Sequence, residues 1–211
     1  IVGEMPADTV PPIGQYFILG GRRWEVTDIA PNEKMVWVRP TRERVPPLFG
    51  GDGGDIDGKI FAQMRALLLS EDIPAYLDHA ARLLLNCARH TARESGAAHP
   101  GVIFTDKLVI WYPWTGTKAF RTLRLMLDAL DVPHAYDSLS IRLRGHDRGS
   151  FEQLRARLAT EAFDPVELAS KMEVKAFDKF DELLSLDILD EMNARERLDL
   201  AGSRAAANHG R

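Results

Sequence analysis

The residues with the types and spacing to do chemistry cluster in Trp111-Tyr112-Pro113-Trp114-Thr115-Gly116-Thr117-Lys118 and the turns after it. An apolar strand, Val109 to Tyr112, must stop at Pro113, because proline has no N–H to give a sheet ladder. The apolar spacing that follows predicts a helix over 117–130, capped by Thr115 or Thr117. Lys118, Arg121 and Arg124 recur at helical spacing along one side of its first turns. An indole, Trp114, then stands beside open helix N–H groups and a row of cations, which is equipment for stacking a base and holding phosphates. The bland alternative makes Trp114 core and the cations a solvated face. A second constellation is Arg22-Arg23-Trp24. Neighbouring strand residues face opposite sides, so a buried Trp24 leaves Arg23 exposed and open to a phosphate. The candidate nucleic-acid-binding residues are therefore Trp114, Thr115, Thr117, Lys118, Arg121 and Arg23.

Other chemistries find little support. There is no Gly-x-x-x-x-Gly-Lys-Ser/Thr phosphate loop, no Asp-Glu-Ala-Asp box and no Gly-x-Ser-x-Gly elbow, so no catalytic residue is assigned. The histidines at 79, 90, 99, 134, 146 and 209 are scattered, and His79 and His90 stand about three turns apart on one helix, too far to share a metal. Asp52, Asp55 and Asp57 in a glycine loop resemble a calcium loop only loosely. The twelfth position from Asp52 is Gln63 rather than Glu, and a helix-capping role for Asp55 or Asp57 is simpler. No metal is assigned. The single cysteine, Cys87, excludes an internal disulfide, and its leucine neighbours predict a buried, structural thiol.

With 45% hydrophobic and 27% charged residues, the 211-residue chain has an ordinary globular composition. Its net charge of −4 counts against strong independent binding to nucleic acid. The charge is uneven, however. Lys118, Arg121, Arg124, Arg142, Arg144 and Arg148 outnumber the Asp residues at 128, 131, 137 and 147, whereas residues 150–200 are acidic on balance. No apolar run is long enough for a membrane helix, and no secretory signal opens the chain, which predicts a cytoplasmic home. The abrupt apolar start at Ile1 reads as a piece of a longer protein.

The elements that must position these residues follow from periodicity and turn chemistry. Residues 14–41 read as a three-stranded meander, with Gly20-Gly21 and Pro31-Asn32-Glu33 as turns. The Pro/Gly-rich stretch from Pro46 to Gly54 reads as a loop. A helix over 55–69 turns Ile60, Met64, Leu67 and Leu68 inward, and a second over 74–94 turns Tyr76, Leu77, Ala80, Leu83, Leu84 and Ala88 inward. Strands follow at 102–104, 107–112, 134–136 and 139–143, and helices at 150–159, 164–170 and 174–197. The predicted fold is α+β: one curved, mainly antiparallel sheet or partial barrel of about six or seven strands, with packed helices and a helical C-terminal tail. Residues 1–149 form its sheet and packed helices, 150–200 a helical extension on the same domain, and 201–211 a frayed end.

Several segments also carry a family resemblance. They are Phe17-Ile18-Leu19-Gly20-Gly21-Arg22-Arg23-Trp24-Glu25-Val26, Pro46-Pro47-x-Phe49-Gly50-Gly51-x-Gly53-Gly54 and Pro113-Trp114-Thr115-Gly116-Thr117-x-x-x-Arg121-Thr122-Leu123. The tail segments Lys179 to Leu184 and Arg195 to Asp199 join them. In this order they resemble the C-terminal accessory region of bacterial DEAD/DEAH-box helicases of the long-helicase-related (Lhr) type. The resemblance spans roughly residues 10 to 200. It implies a parent with two RecA-like ATPase domains, which bind ATP and Mg²⁺, and a winged helix, moving 3′→5′ on single-stranded DNA or RNA. This chain would be a non-catalytic clamp without a cofactor of its own. Its partners would be the strand and the other domains of the parent polypeptide, with no membrane involved. The acid-rich loop Gly50 to Gly58 departs from that role, being a poor phosphate partner better suited to protein. The competing expectations are a protein–protein scaffold module that uses the acidic tail, and a stand-alone hydrolase with an unusual site.

Overall fold

A computed structural model describes residues 1–5, 10–43, 54–177 and 180–208. The chain divides into two compact units, Ile1–Gly54 and Asp55–Arg211.

In the first unit, strands β1 (Tyr16–Leu19), β2 (Arg22–Ala30) and β3 (Met35–Pro40) pair antiparallel in chain order. Gly20 and Gly21 both take positive φ, the conformation a two-residue hairpin turn requires. Phe17, Trp24 and Val26 are buried, with Leu19, Ile29, Val36 and Val38 packed around them. The β2–β3 register shifts between Val26 and Asp28, so that Thr27 is an extra residue. This bulge lets both Val26 and Ile29 face inward although they are three apart. Tyr16, Arg23, Glu25, Trp37 and Arg39 occupy the opposite face, with Tyr16 and Arg39 paired on either side of Glu25.

The second unit begins with helices α1 (Gly58–Leu69) and α2 (His79–Glu94). Strands β4 (Val102–Phe104) and β5 (Leu108–Trp111) follow, then helix α3 (Thr117–Ala129). The hairpin β6 (His134–Tyr136) and β7 (Ile141–Arg144) leads into α4 (Arg148–Thr160) and α5 (Pro165–Ser170). Helices α6 (Leu186–Arg197) and α7 (Leu200–Asn208) complete the described chain. The strands form an antiparallel sheet in the order β4-β5-β7-β6. Val109, Trp111, Ile141 and Leu143 alternate onto its buried face and share one core with Leu123, Met126 and Leu127 of α3 and Phe151, Leu154 and Leu158 of α4. Phe151 meets Trp111 edge-on at 5.7 Å between ring centroids.

The α+β class is as expected, but the strands divide between a three-stranded and a four-stranded sheet, where one shared sheet was anticipated. Further expectations are corrected. First, α1 buries Phe61 and half-buries Arg65 and Leu68, while Ile60, Met64 and Leu67 face solvent. In α2, which starts at His79 rather than 74, the inward row is Ala81, Leu85, Arg89 and Ala92, leaving Ala80, Leu83, Leu84 and Ala88 exposed, as is Tyr76 in the turn before it. Buried Arg89 donates to the Leu67 and Asp72 carbonyls and to Ser70 Oγ, and Arg93 donates to the Leu69 and Ser70 carbonyls. Guanidinium groups from α2 thus satisfy the orphan carbonyls at the end of α1, and that polar demand overrides the apolar period. Second, Cys87 lies on the outer side of α2 and is exposed. Third, residues 200–208 are helical rather than frayed, because Ser203, Ala206 and Ala207 are buried against the core. The long helix expected over 174–197 is only α6, preceded by the 3-10 turn Asp181–Leu183. The loop from Pro46 through Gly53, with Asp52, lies outside the described residues.

The β6–β7 turn offers a test. Asp137 accepts hydrogen bonds from the Leu139 and Ser140 amides, from Ser140 Oγ and from Arg142 Nη2 at 2.6 Å. Partial burial opposes its ionisation, yet these donors together hold the carboxyl well below the usual carboxylate range. A depressed native pKa stabilises the fold above the unfolded carboxylate pKa, and that contribution is lost as pH falls toward the native value. Asp137→Asn is therefore expected to lower the denaturation midpoint at pH 7. The gap to the parent should narrow below about pH 4, followed by urea unfolding across pH.

Candidate nucleic-acid interface

Helix α3 begins where two chain segments meet. The Thr117 N–H donates to the Ile56 carbonyl at 3.0 Å, and Thr117 Oγ1 accepts from the Ile56 amide at 2.9 Å. Thr117 is thus spent on a cross-link, and neither it nor Thr115 caps α3. The cap residue is Gly116, with no side-chain bond to the helix. A Cβ at Gly116 would stand 2.7 Å from the Gly58 nitrogen and 2.9 Å from the Ile56 carbonyl oxygen, so glycine is required by close backbone approach. Asp57 closes the other side of this junction by capping α1 through the Lys59 amide. Of the two carboxylates expected as caps, Asp57 takes that role.

Asp55 instead pairs with Arg121. The guanidinium donates through Nη2 to Asp55 Oδ1 and through Nη1 to the Arg197 carbonyl, both at 2.9 Å. One helical step on, Thr122 is fully buried. Its hydroxyl donates to the Lys118 carbonyl and accepts from the Asp199 amide. The Asp199 carboxylate then accepts the Gly202 N–H in the first turn of α7. The Pro113–Leu123 and Arg195–Asp199 segments, distant in sequence, therefore meet through Arg121 and Thr122.

Trp114 has a left-handed backbone, φ +49°, a costly conformation for a bulky residue. It is held there by an Nε1–H bond to the Ala97 carbonyl at 2.8 Å and by stacking on Tyr112, 6.4 Å between centroids. The ring is half-buried. Arg124 leaves the expected row of cations. Its guanidinium lies 3.2 Å from the Tyr136 ring centroid, and burial lowers its pKa.

The junction of Ile56, Gly58 and Gly116 borders a groove of about 530 Å³ lined by the starts of α1, α3 and α7. Thr115, Lys118, Asp55, Asp57 and Asp199 all reach it. The Lys118 and Ala119 amides, next in the open turn of α3, have no partner among the described residues. Helix dipoles favour an anion here, but the three carboxylates offset most of that field. Lys118 is exposed and without an ion-pair partner among the described residues. Arg23, in the first unit, is exposed on the outer face of β2 and has no ion-pair partner among the described residues, with Arg22 beside it. Of the six predicted residues, five come together around α3, and Arg23 belongs to the other unit. Sequence reasoning missed Asp55, Gly58, Arg197 and Asp199 as the groups that fix this corner. Among the described residues no cluster of three or more His, Cys, Asp or Glu is placed to hold a metal.

Comparison of the chain with protein-family models, with curated proteins and with solved structures gives no match.

Two substitutions test the corner itself. Gly116→Ala should destabilise the fold by about 1–3 kcal/mol, since backbone rather than a flexible side chain blocks the new methyl. Trp114→Ala should cost about 3 kcal/mol through lost packing and a lost hydrogen bond. Urea denaturation of each variant measures both.

Proposed function

We propose that this chain is a non-catalytic accessory region of a DEAD/DEAH-box superfamily 2 helicase of the long-helicase-related type. In this reading it contacts single-stranded DNA or RNA while the ATPase domains of the parent polypeptide bind ATP and Mg²⁺. The family assignment rests on the ordered motifs. The observation that carries the nucleic-acid contact is that Arg23 and Lys118 have no ion-pair partner among the described residues, whereas Arg121 and Arg124 are spent inside the fold. Thr115 lies beside Lys118 at the same groove, while Trp114, Thr117 and Arg121 serve by holding the start of α3 in place.

A scaffold reading has its own support. Ile60, Met64 and Leu67 of α1 and Leu83 and Leu84 of α2 are exposed, as are Phe180, Leu183 and Leu186 near α6. Apolar surface on this scale suits contact with other protein. Both readings accommodate it, since the parent's RecA-like and winged-helix domains are protein partners too.

Salt dependence separates the two. Phosphate-led binding of an oligonucleotide must weaken steeply with salt. Arg23→Ala and Lys118→Ala should each lower the slope of log K against log salt by about one, uniformly across sequences. Absence of oligonucleotide binding even at about 50 mM salt selects the scaffold reading.

A further inference from the structure

The outer face of β1–β3 carries an arrangement that the α3 corner lacks. Trp37 is 53% exposed and Tyr16 37% exposed, both on the side of the sheet away from Phe17, Trp24 and Val26. Arg39 follows Trp37 two residues along β3, about 7 Å away on the same face. Its guanidinium donates to Glu25 Oε2 at 2.7 Å, and Glu25 sits between Arg39 and Tyr16 in the cross-strand row. Glu25 thereby spreads the guanidinium along the sheet while leaving it 66% exposed, with donors free for a second acceptor. Arg23 stands on the same face, opposite Ile18, with its neighbour Arg22 also exposed. The cations collect at the end of the sheet where β2 begins and β3 ends, while Asp28 stands opposite Trp37 and Glu33 lies in the turn beyond.

We infer that this face is a platform for single-stranded nucleic acid, with Trp37 and Tyr16 stacking bases and Arg23 and Arg39 holding phosphates. The inference rests on the nucleic-acid reading above and adds the stacking residues, assigning them to Trp37 and Tyr16 rather than to Trp114. Exposed aromatic rings stack on open base faces, which a duplex hides inside its own stack, so the ligand is a single strand. The charge is complementary at the Tyr16 end of the face: Arg23 and Arg39 bind a polyanion there, Glu25 is already paired, and Asp28, opposite Trp37, accepts the Ile29 amide.

The test uses the full chain and a labelled oligothymidylate at low salt, read by anisotropy and by tryptophan fluorescence. Wild type should bind with a steep salt slope, its indole emission should be quenched, and a duplex of equal length should compete poorly. Trp37→Ala should weaken binding about tenfold and remove most of the quenching, with an unchanged melting temperature because the ring is exposed. Trp37→Phe should recover most of the affinity. Tyr16→Ala should act in the same direction. Binding that keeps its salt slope and its Lys118 dependence but ignores Trp37→Ala overturns this platform and leaves the proposed function standing. No binding by wild type overturns both, and gives the face to a protein partner. Equal competition by duplex overturns the single-strand assignment.

Discussion

Helix α3 has almost no free side beyond its first turn, and the second unit is organised by that constraint. Ala119, Phe120, Thr122, Leu123, Leu125, Met126 and Leu127 are all buried, spanning more of the helix circumference than an amphipathic stripe would. A helix enclosed in this way can carry polar groups only where each finds a fixed partner. Thr122 meets that demand by donating to its own helix and accepting from the Asp199 amide. Arg121 meets it with Asp55 and the Arg197 carbonyl. The polar groups of α3 thus dictate where α6 ends and α7 starts. They also determine how the segment before α1 approaches, down to the two glycines, 58 and 116, whose backbones nearly touch.

The same constraint explains the distribution of charge. Cations drawn into the enclosed corner become part of its architecture, and the acids that hold them leave the groove with a mixed field. Cations on the outer face of the three-stranded sheet carry no such obligation, apart from Arg39 with Glu25. Sequence proximity to an aromatic did not distinguish these two fates, whereas burial of the surrounding helix does.

Local chemistry was legible wherever one turn or cap decides the outcome. Gly20-Gly21, Thr105-Asp106 and the proline after Tyr112 place their hairpins and strand end within a residue or two of the observed bounds. The spacing of Trp24, Val26 and Ile29 even contains the bulge, since no regular strand puts all three on one side. What periodicity could not resolve was competition between an apolar stripe and a polar obligation. In α1 and α2 the leucines outnumber the arginines, yet Arg89 turns inward and Arg93 reaches across from the surface because the carbonyls ending α1 need donors. The corner at α3 was equally hidden, because its partners lie at 55, 58, 197 and 199, and a single sequence holds no signal for pairings across such separations. The tail was misread because alanine and glycine look like disorder until a surface for Ala206 and Ala207 is present.

The sheets also limit how anything can join them. In the four-stranded sheet both border strands, β4 and β6, are only three residues long. In the meander, β1 has four residues, and β3 ends on Pro40, which has no N–H to offer. Rows of unpaired backbone groups this short make poor templates for an incoming strand. Among the described strands, edge-to-edge pairing thus has little to build on, and contacts made by side chains across the faces can be tuned by a single substitution without altering the backbone.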